Sequence, residues 1–124
     1  MAIEKSITNN IIDMINSKPC AIAEKIKGDS TSSGRADINV CYKSKTIRIE
    51  VKTPDNRNKA SKKQEHNLKK WFYAGAAVMV VYSEKSVVQF LHAIECGIPG
   101  RYTYQEDNGC LSWMEIPDIQ LKMG

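Results

Sequence analysis

Apolar residues at the start of the chain fall at Ile3, Ile7, Ile11, Met14 and Ile15, a stripe along one side of a helix that Pro19 ends. Cys20 to Ile26 alternates loosely and is short, which predicts a strand. Ala36 to Tyr42 and Thr46 to Lys52 alternate more strictly. Ile38 and Val40 share one face of the first, and Ile47, Ile49 and Val51 share one face of the second. A two-residue turn at Lys43-Ser44 pairs Tyr42 with Lys45, and therefore Val40 with Ile47 and Ile38 with Ile49. A slip of one residue would break this apolar pairing.

Thr53 to Lys59 is turn-rich, and Pro54 bars the strand from continuing. A second helix opens at Ser61, where Ser61-Lys62-Lys63-Gln64 matches a capping box. Its stripe runs through Gln64, Leu68, Trp71 and Phe72 to Gly75, the expected stop. Ala76 to Tyr82 is a continuous apolar run, the mark of a strand covered on both faces. Ser83 is expected to cap a third helix carrying Val87, Phe90, Leu91 and Ile94, with Gly97 after it and His92 off the stripe on the surface. Asp107-Asn108-Gly109 between β-prone runs is a hairpin signal.

These elements predict an α/β fold, a central mixed sheet of about four or five strands flanked by helices at 3–16, 61–75 and 84–96. Residues 1–97 form the expected core. Residues 98–124 are an extension of the same domain, a hairpin appendage that covers a sheet edge, makes a dimer contact or touches substrate, with edge covering the favoured reading.

A length of 124 residues, 42% apolar and 26% charged, fits one ordinary globular domain. No apolar run approaches the ~20 residues of a membrane span. Met1 to Asn10 lacks a basic-then-apolar leader pattern, so a cytosolic protein with no membrane partner is expected. Cys20, Cys41, Cys96 and Cys110 are far apart without zinc-type spacing, which predicts reduced thiols in or near the core.

The net charge of +4 matters less than its distribution. Residues 1–42 balance, residues 43–70 carry ten basic and three acidic side chains, and residues 71–124 carry three and six. A basic block therefore overlies the strand that ends in Glu50 and Lys52, a footprint suited to phosphate unless it is only a solvated face. Ser33 in the polar loop Gly28–Gly34, together with Arg35, Arg57, Lys59, Lys62 and Lys63, are the expected nucleic-acid contacts.

The hairpin register also puts Asp37 directly opposite Glu50, where two like charges destabilise. A divalent cation between them would remove that cost. Glu50 and Lys52 share a face. Two carboxylates, a strand-borne lysine and a basic surround suit hydrolysis of a phosphodiester with Mg²⁺ or Mn²⁺. The Val51 carbonyl is a further candidate ligand, and Lys52 would orient the attacking water or stabilise charge on phosphorus. Glu4 is a candidate third acid or simply a favourable charge in a first helical turn, and Glu24 is a second candidate or a surface acid. No P-loop or GxGxxG is present, and no serine elbow accompanies His66 or His92.

Asp37, followed thirteen positions on by Glu50-Val51-Lys52, resembles the PD-(D/E)xK nuclease pattern. Gly34-Arg-Ala-Asp37, Ile49-Glu-Val-Lys-Thr-Pro54, Ser61-x-x-Gln64, Gly75 and the apolar run 76–82 resemble the virus-type replication-repair nuclease (VRR-NUC) domains, in a stand-alone, phage-like form. The resemblance covers about residues 3–83, and Ala36 stands where that family usually has proline. It implies a restriction-endonuclease-like fold, with Asp37 and Glu50 as metal ligands, Lys52 as the catalytic lysine, Gln64 as the helix glutamine beside the site and Glu4 as the completing acid. It further implies a homodimer cutting branched DNA such as a four-way junction, in repair or recombination, in the host cytoplasm if phage-encoded. The rival readings are a nuclease on linear, flapped or unbranched duplex DNA, a non-catalytic DNA-binding protein of the same fold, and a small structural domain.

Overall fold

The computed structural model describes residues 2–26, 37–52, 62–105 and 111–116, with side chains at 6–26, 37–52, 63–101 and 114–115. The loops predicted at 28–34 and 53–59, the Ser61 cap, the Asp107-Asn108-Gly109 turn and Cys110 lie outside these residues.

Along the chain come α1 (Ala2–Asn16), β1 (Ala21–Lys25), β2 (Ile38–Tyr42), β3 (Lys45–Val51), α2 (Lys62–Tyr73), β4 (Ala77–Val81), α3 (Glu84–Cys96), β5 (Gly100–Gln105) and β6 (Leu111–Ile116). The strands form one mixed sheet in the order β1-β2-β3-β4-β6-β5. β3 and β4 are parallel and joined through α2; the other neighbours are antiparallel. The fold is α/β, with a mixed sheet and helices on both faces, as the periodicities predict. The sheet is wider than expected because the C-terminal hairpin is part of it. β6 pairs with β4, Val78 against Trp113 and Val80 against Leu111, so an apolar strand that would have been an edge becomes an interior one.

The β2–β3 register is the predicted one, from Tyr42 against Lys45 to Ile38 against Ile49. Lys43 (φ 49°) and Ser44 (φ 70°) both take positive φ, the type I′ geometry whose twist suits a two-residue hairpin. Neither is glycine or asparagine; the Lys43 N–H donates to the Cys20 carbonyl at 2.9 Å, which ties the turn to the start of β1.

Alternation then sorts the strands onto two cores. Ile38, Val40, Ile47, Ile49, Val51, Ala77, Met79 and Val81 pack with Ile11 and Ile15 of α1 and Val87, Phe90 and Leu91 of α3. On the opposite face, Val78 and Val80 pack with Leu68 of α2, flanked by Ile26, Trp71 and Phe72. β4 is buried throughout, as its unbroken apolar run predicts. α2 ends where expected: Gly75 has φ 110°, and the Ala76 N–H donates back to the Trp71 carbonyl at 2.9 Å. Lys45 Nζ donates to the carbonyls of Gly75 and Glu115, both at 2.7 Å, joining the hairpin turn to the end of α2 and to β6. At the other side of the sheet the outward backbone of β1 is not left bare. Asn16 Nδ2 donates to the Ala23 carbonyl at 3.0 Å, and the Ala23 N–H donates to Asn16 Oδ1 at 2.9 Å. A helix-end amide thus stands in for a neighbouring strand.

Two smaller expectations are corrected. Ser83 occupies the N-cap of α3 with extended φ and ψ but makes no side-chain cap hydrogen bond. Cys20, Cys41 and Cys96 are free thiols at the surface, not in the core. Alternation turns Cys41 onto the open face of β2, Cys96 ends α3, and Cys20 sits with φ 58° in the turn before β1. His92 is exposed, as expected.

Buried Tyr42 donates its hydroxyl to Glu95 Oε1 at 2.8 Å, and Lys18 Nζ lies 3.4 Å from the same oxygen. Burial, and then the Glu95 carboxylate, push the Tyr42 phenol up to about 12.

Two measurements check this packing. Replacing fully buried Ile49 with alanine is expected to lower stability by about 2–5 kcal/mol, whereas exposed Ile22→Ala should change it by less than about 0.5 kcal/mol, both read from urea unfolding. A free tyrosine ionises near pH 10, so between there and the folded pKa of about 12 the unfolded chain holds fewer protons than the folded one. The Tyr42 contribution is therefore complete below about pH 10 and is lost as pH rises. Unfolding midpoints compared with those of Tyr42→Phe should converge across that alkaline window.

Candidate functional site

Strand pairing brings Asp37, Glu50 and Lys52 to the C-terminal end of β3, although not in the simple opposition that the register predicts. The Asp37 N–H donates to the Ile49 carbonyl at 2.9 Å, the residue already facing Ile38. Two residues thus stand against one, the count of a β-bulge, and the regular ladder stops before Asp37 and Glu50 become a pair. Asp37 is held from three directions. Its carbonyl accepts from the Ile26 N–H at 2.8 Å, and its carboxylate Oδ2 accepts from the Val51 N–H at 2.7 Å. The side chain therefore completes backbone bonding that the slipped ladder leaves open on β3.

Glu50 is buried, with Lys52 Nζ 3.9 Å from its Oε2 and only 6% of its side chain exposed. Lys52 is half-buried, and its N–H donates to the Val81 carbonyl at 2.9 Å, so β4 fixes its backbone. The predicted shared face of Glu50 and Lys52 is observed. Val51 between them points its side chain into the opposite core.

Gln64 belongs to the same region. α2 connects two parallel strands and so runs back along β3. Near its C-terminal end Trp71 meets Arg48, whose guanidinium carbon is 3.6 Å from the ring centroid. Gln64 precedes Trp71 by about 10 Å of helix, and Glu50 and Lys52 lie about 7 and 13 Å beyond Arg48 along the strand. Gln64, half-buried, therefore lies at the level of Glu50 and Lys52.

The remaining predicted residues are not brought to this point. Glu24 is exposed on β1 opposite Asn39, two residues from the Ile26 that bonds Asp37. Lys63 is exposed at the start of α2. Glu4 and Lys62 lie within α1 and α2, with side chains outside the described ones, and Ser33, Arg35, Arg57 and Lys59 lie outside the described residues. Among the described residues no three His, Cys, Asp or Glu side chains form a metal-binding group. No described helix is long and apolar enough to cross a membrane.

Sequence reasoning passed over Arg48, Asn39 and Trp71 as site residues. The signal was present: Thr46, Arg48, Glu50 and Lys52 are the alternate polar positions of one strand, and all face the α2 side.

The arrangement joins an anchored carboxylate, a buried carboxylate and a lysine on adjacent strand ends. Its all-oxygen donors, two carboxylates with a nearby backbone carbonyl, are the hard ligand type that Mg²⁺ and Mn²⁺ take. No family model, curated protein or solved structure matches the chain.

A buried ion pair contributes little net stability, whereas removing a backbone partner is costly. Glu50→Leu combined with Lys52→Met is therefore expected to unfold at a urea midpoint at or above that of wild type. Asp37→Ala should lose about 1–3 kcal/mol through the stranded Val51 N–H, and Asp37→Asn should lose less because its amide oxygen can accept the same bond.

Proposed function

We propose that the chain is a Mg²⁺-dependent endonuclease that hydrolyses DNA phosphodiesters, of the VRR-NUC type within the PD-(D/E)xK nucleases, acting as a homodimer on branched DNA such as a four-way junction. One observation carries the reading: Glu50 is buried beside Lys52 at the strand end where the Asp37 carboxylate is locked to the Val51 N–H. A buried acid, an anchored acid and a lysine at one strand end have a ready use in phosphoryl chemistry, and burying the acid is costly to the fold.

Asp37 and Glu50 would hold the metal, with the Val51 carbonyl and Glu4 as the further ligands. When bound, the ion supplies positive charge that polarises the phosphodiester and lowers the pKa of a water. Lys52 would hold the attacking water or the developing negative charge within reach of its ammonium group. Gln64, at the same level of α2, would position the phosphate or that water. The basic excess of residues 43–70 would attract a polyanion to the chain. The dimer follows from the substrate, since two symmetric cuts need two sites and one chain supplies one.

Incubation of the protein with a four-way junction and with linear duplex, in Mg²⁺ or in EDTA, tests the reading on one gel. Cutting should require the metal, favour the junction, and fall by at least about 10²-fold in Glu50→Ala and in Lys52→Ala. Metal-independent cutting, or full activity in Glu50→Ala, would overturn the mechanism. Equal cutting of both DNAs would remove only the junction preference and leave a nuclease acting on unbranched duplex. Binding without cutting under any divalent metal would favour a non-catalytic DNA-binding protein. Light scattering should give twice the chain mass at cutting concentrations.

A further inference from the structure

The face of the sheet that carries Glu50 and Lys52 also carries a groove that the proposed chemistry does not use. α2 covers β4 and the adjoining part of β3, and leaves the β1–β2 side of this face open, with Ile22 60% exposed. The groove encloses about 310 Å³. Its floor is a row of three cross-strand partners, Glu24, Asn39 and Arg48, with Ile22 and Thr46 in the next row and Trp71 as the wall.

The chemistry of this row is specific. Arg48 presents a planar cation backed by the Trp71 ring at 3.6 Å. Asn39 offers an amide. Glu24 offers a carboxylate on the far strand, about 10 Å across two strand spacings from Arg48. One positive and one negative side chain leave the groove neutral, which does not suit a phosphate. A flat surface bounded by hydrogen-bonding groups suits a nucleobase. Bases stack on guanidinium planes as well as on aromatic rings. A carboxylate accepts in parallel from two adjacent donors, and guanine is the base whose pairing edge carries them, at N1 and N2.

The groove lies about 7 Å along β3 from Glu50. A strand held by its backbone at the Glu50–Lys52 end is within reach of the groove with one base. We propose that this groove receives one unpaired base of the bound nucleic acid, with guanine preferred: the base stacks on Arg48, and Glu24 and Asn39 read its edge. The inference rests on the nuclease reading for its strand and adds to it a determinant of where that strand is held.

The test uses the full chain in EDTA, so that binding is measured without cutting. The probes are fluorescein-labelled five-nucleotide single strands of thymine, and the same strands with a central guanine, adenine or cytosine, followed by anisotropy. The guanine strand should bind about tenfold more tightly than the all-thymine strand. Glu24→Gln, a change at an exposed side chain, should reduce that preference to under about twofold, because an amide turns a donor, not a second acceptor, toward one of the two donors. Arg48→Lys keeps the charge but not the plane, and should weaken all four strands together. Equal affinity for the four strands, or a guanine preference that survives Glu24→Gln, would overturn the proposal. The two readings fail separately: a protein that cuts junctions in Mg²⁺ without the preference loses only the groove, and one that shows the preference in EDTA but cuts nothing loses only the nuclease.

Discussion

The hydrogen bond from the Val51 N–H to the Asp37 carboxylate, 2.7 Å long, is the constraint on which the rest of the site depends. Up to Ile38 and Ile49 the hairpin is an ordinary antiparallel ladder, and each backbone group finds a backbone partner. At Asp37 the count slips, and β3 continues two residues, Glu50 and Val51, beyond the last pair in register. An unpaired N–H there would cost on the order of 1–3 kcal/mol. The carboxylate fills that place. The same bond sets the Asp37 side chain against the end of β3, where Glu50 and Lys52 face the α2 side and Val51 anchors the opposite core. Backbone satisfaction, core packing and the position of an acid thus rest on one contact.

The two faces of β3 show how one strand serves both fold and site. Ile47, Ile49 and Val51 enter the main apolar core under α1 and α3. Thr46, Arg48, Glu50 and Lys52 meet α2 on the other side, where each long polar residue is handled differently. Arg48 lies flat on Trp71, covering apolar ring surface while keeping its charge. Glu50 is buried with Lys52 close by. Parallel pairing with β4 holds this row rigid, since the Lys52 N–H ends on Val81. The flanks are protected by different means. An asparagine amide covers the β1 backbone at Ala23, and a full strand, β6, covers β4.

The register was legible because the apolar pairs and the turn length agree, and a one-residue slip would have exposed Ile38 and Ile49 together. The helices were legible from their stripes, and β4 from its unbroken apolar run. The bulge at Asp37 was not legible, since no glycine marks it and its cause is a side chain that replaces a backbone acceptor. Asn16 reads as a polar residue at a helix end, and nothing local tells its amide to meet Ala23 seven residues on. The hairpin at 100–116 has the same alternation whether it lies beside the sheet or within it, so only the apolar character of β4 argued for a partner. Cys20, Cys41 and Cys96 were misplaced because thiols pack well inside; strand parity would have put Cys41 on the open face with Asn39. That parity would also have gathered Arg48 and Asn39 with Glu24.

An acid at position 50 is costly to bury. Burying a carboxylate costs several kcal/mol, and an ammonium 3.9 Å away offsets only part of that. β3 has apolar residues at every other buried position, and Val80 beside it on β4 shows that this face accepts an aliphatic side chain. A valine at position 50 would satisfy alternation, propensity and packing together. The chain instead keeps a charge there, next to a lysine and within one residue of the N–H that holds Asp37. Where a residue breaks the rule that its neighbours obey at a cost in burial, chemistry is the first explanation to test.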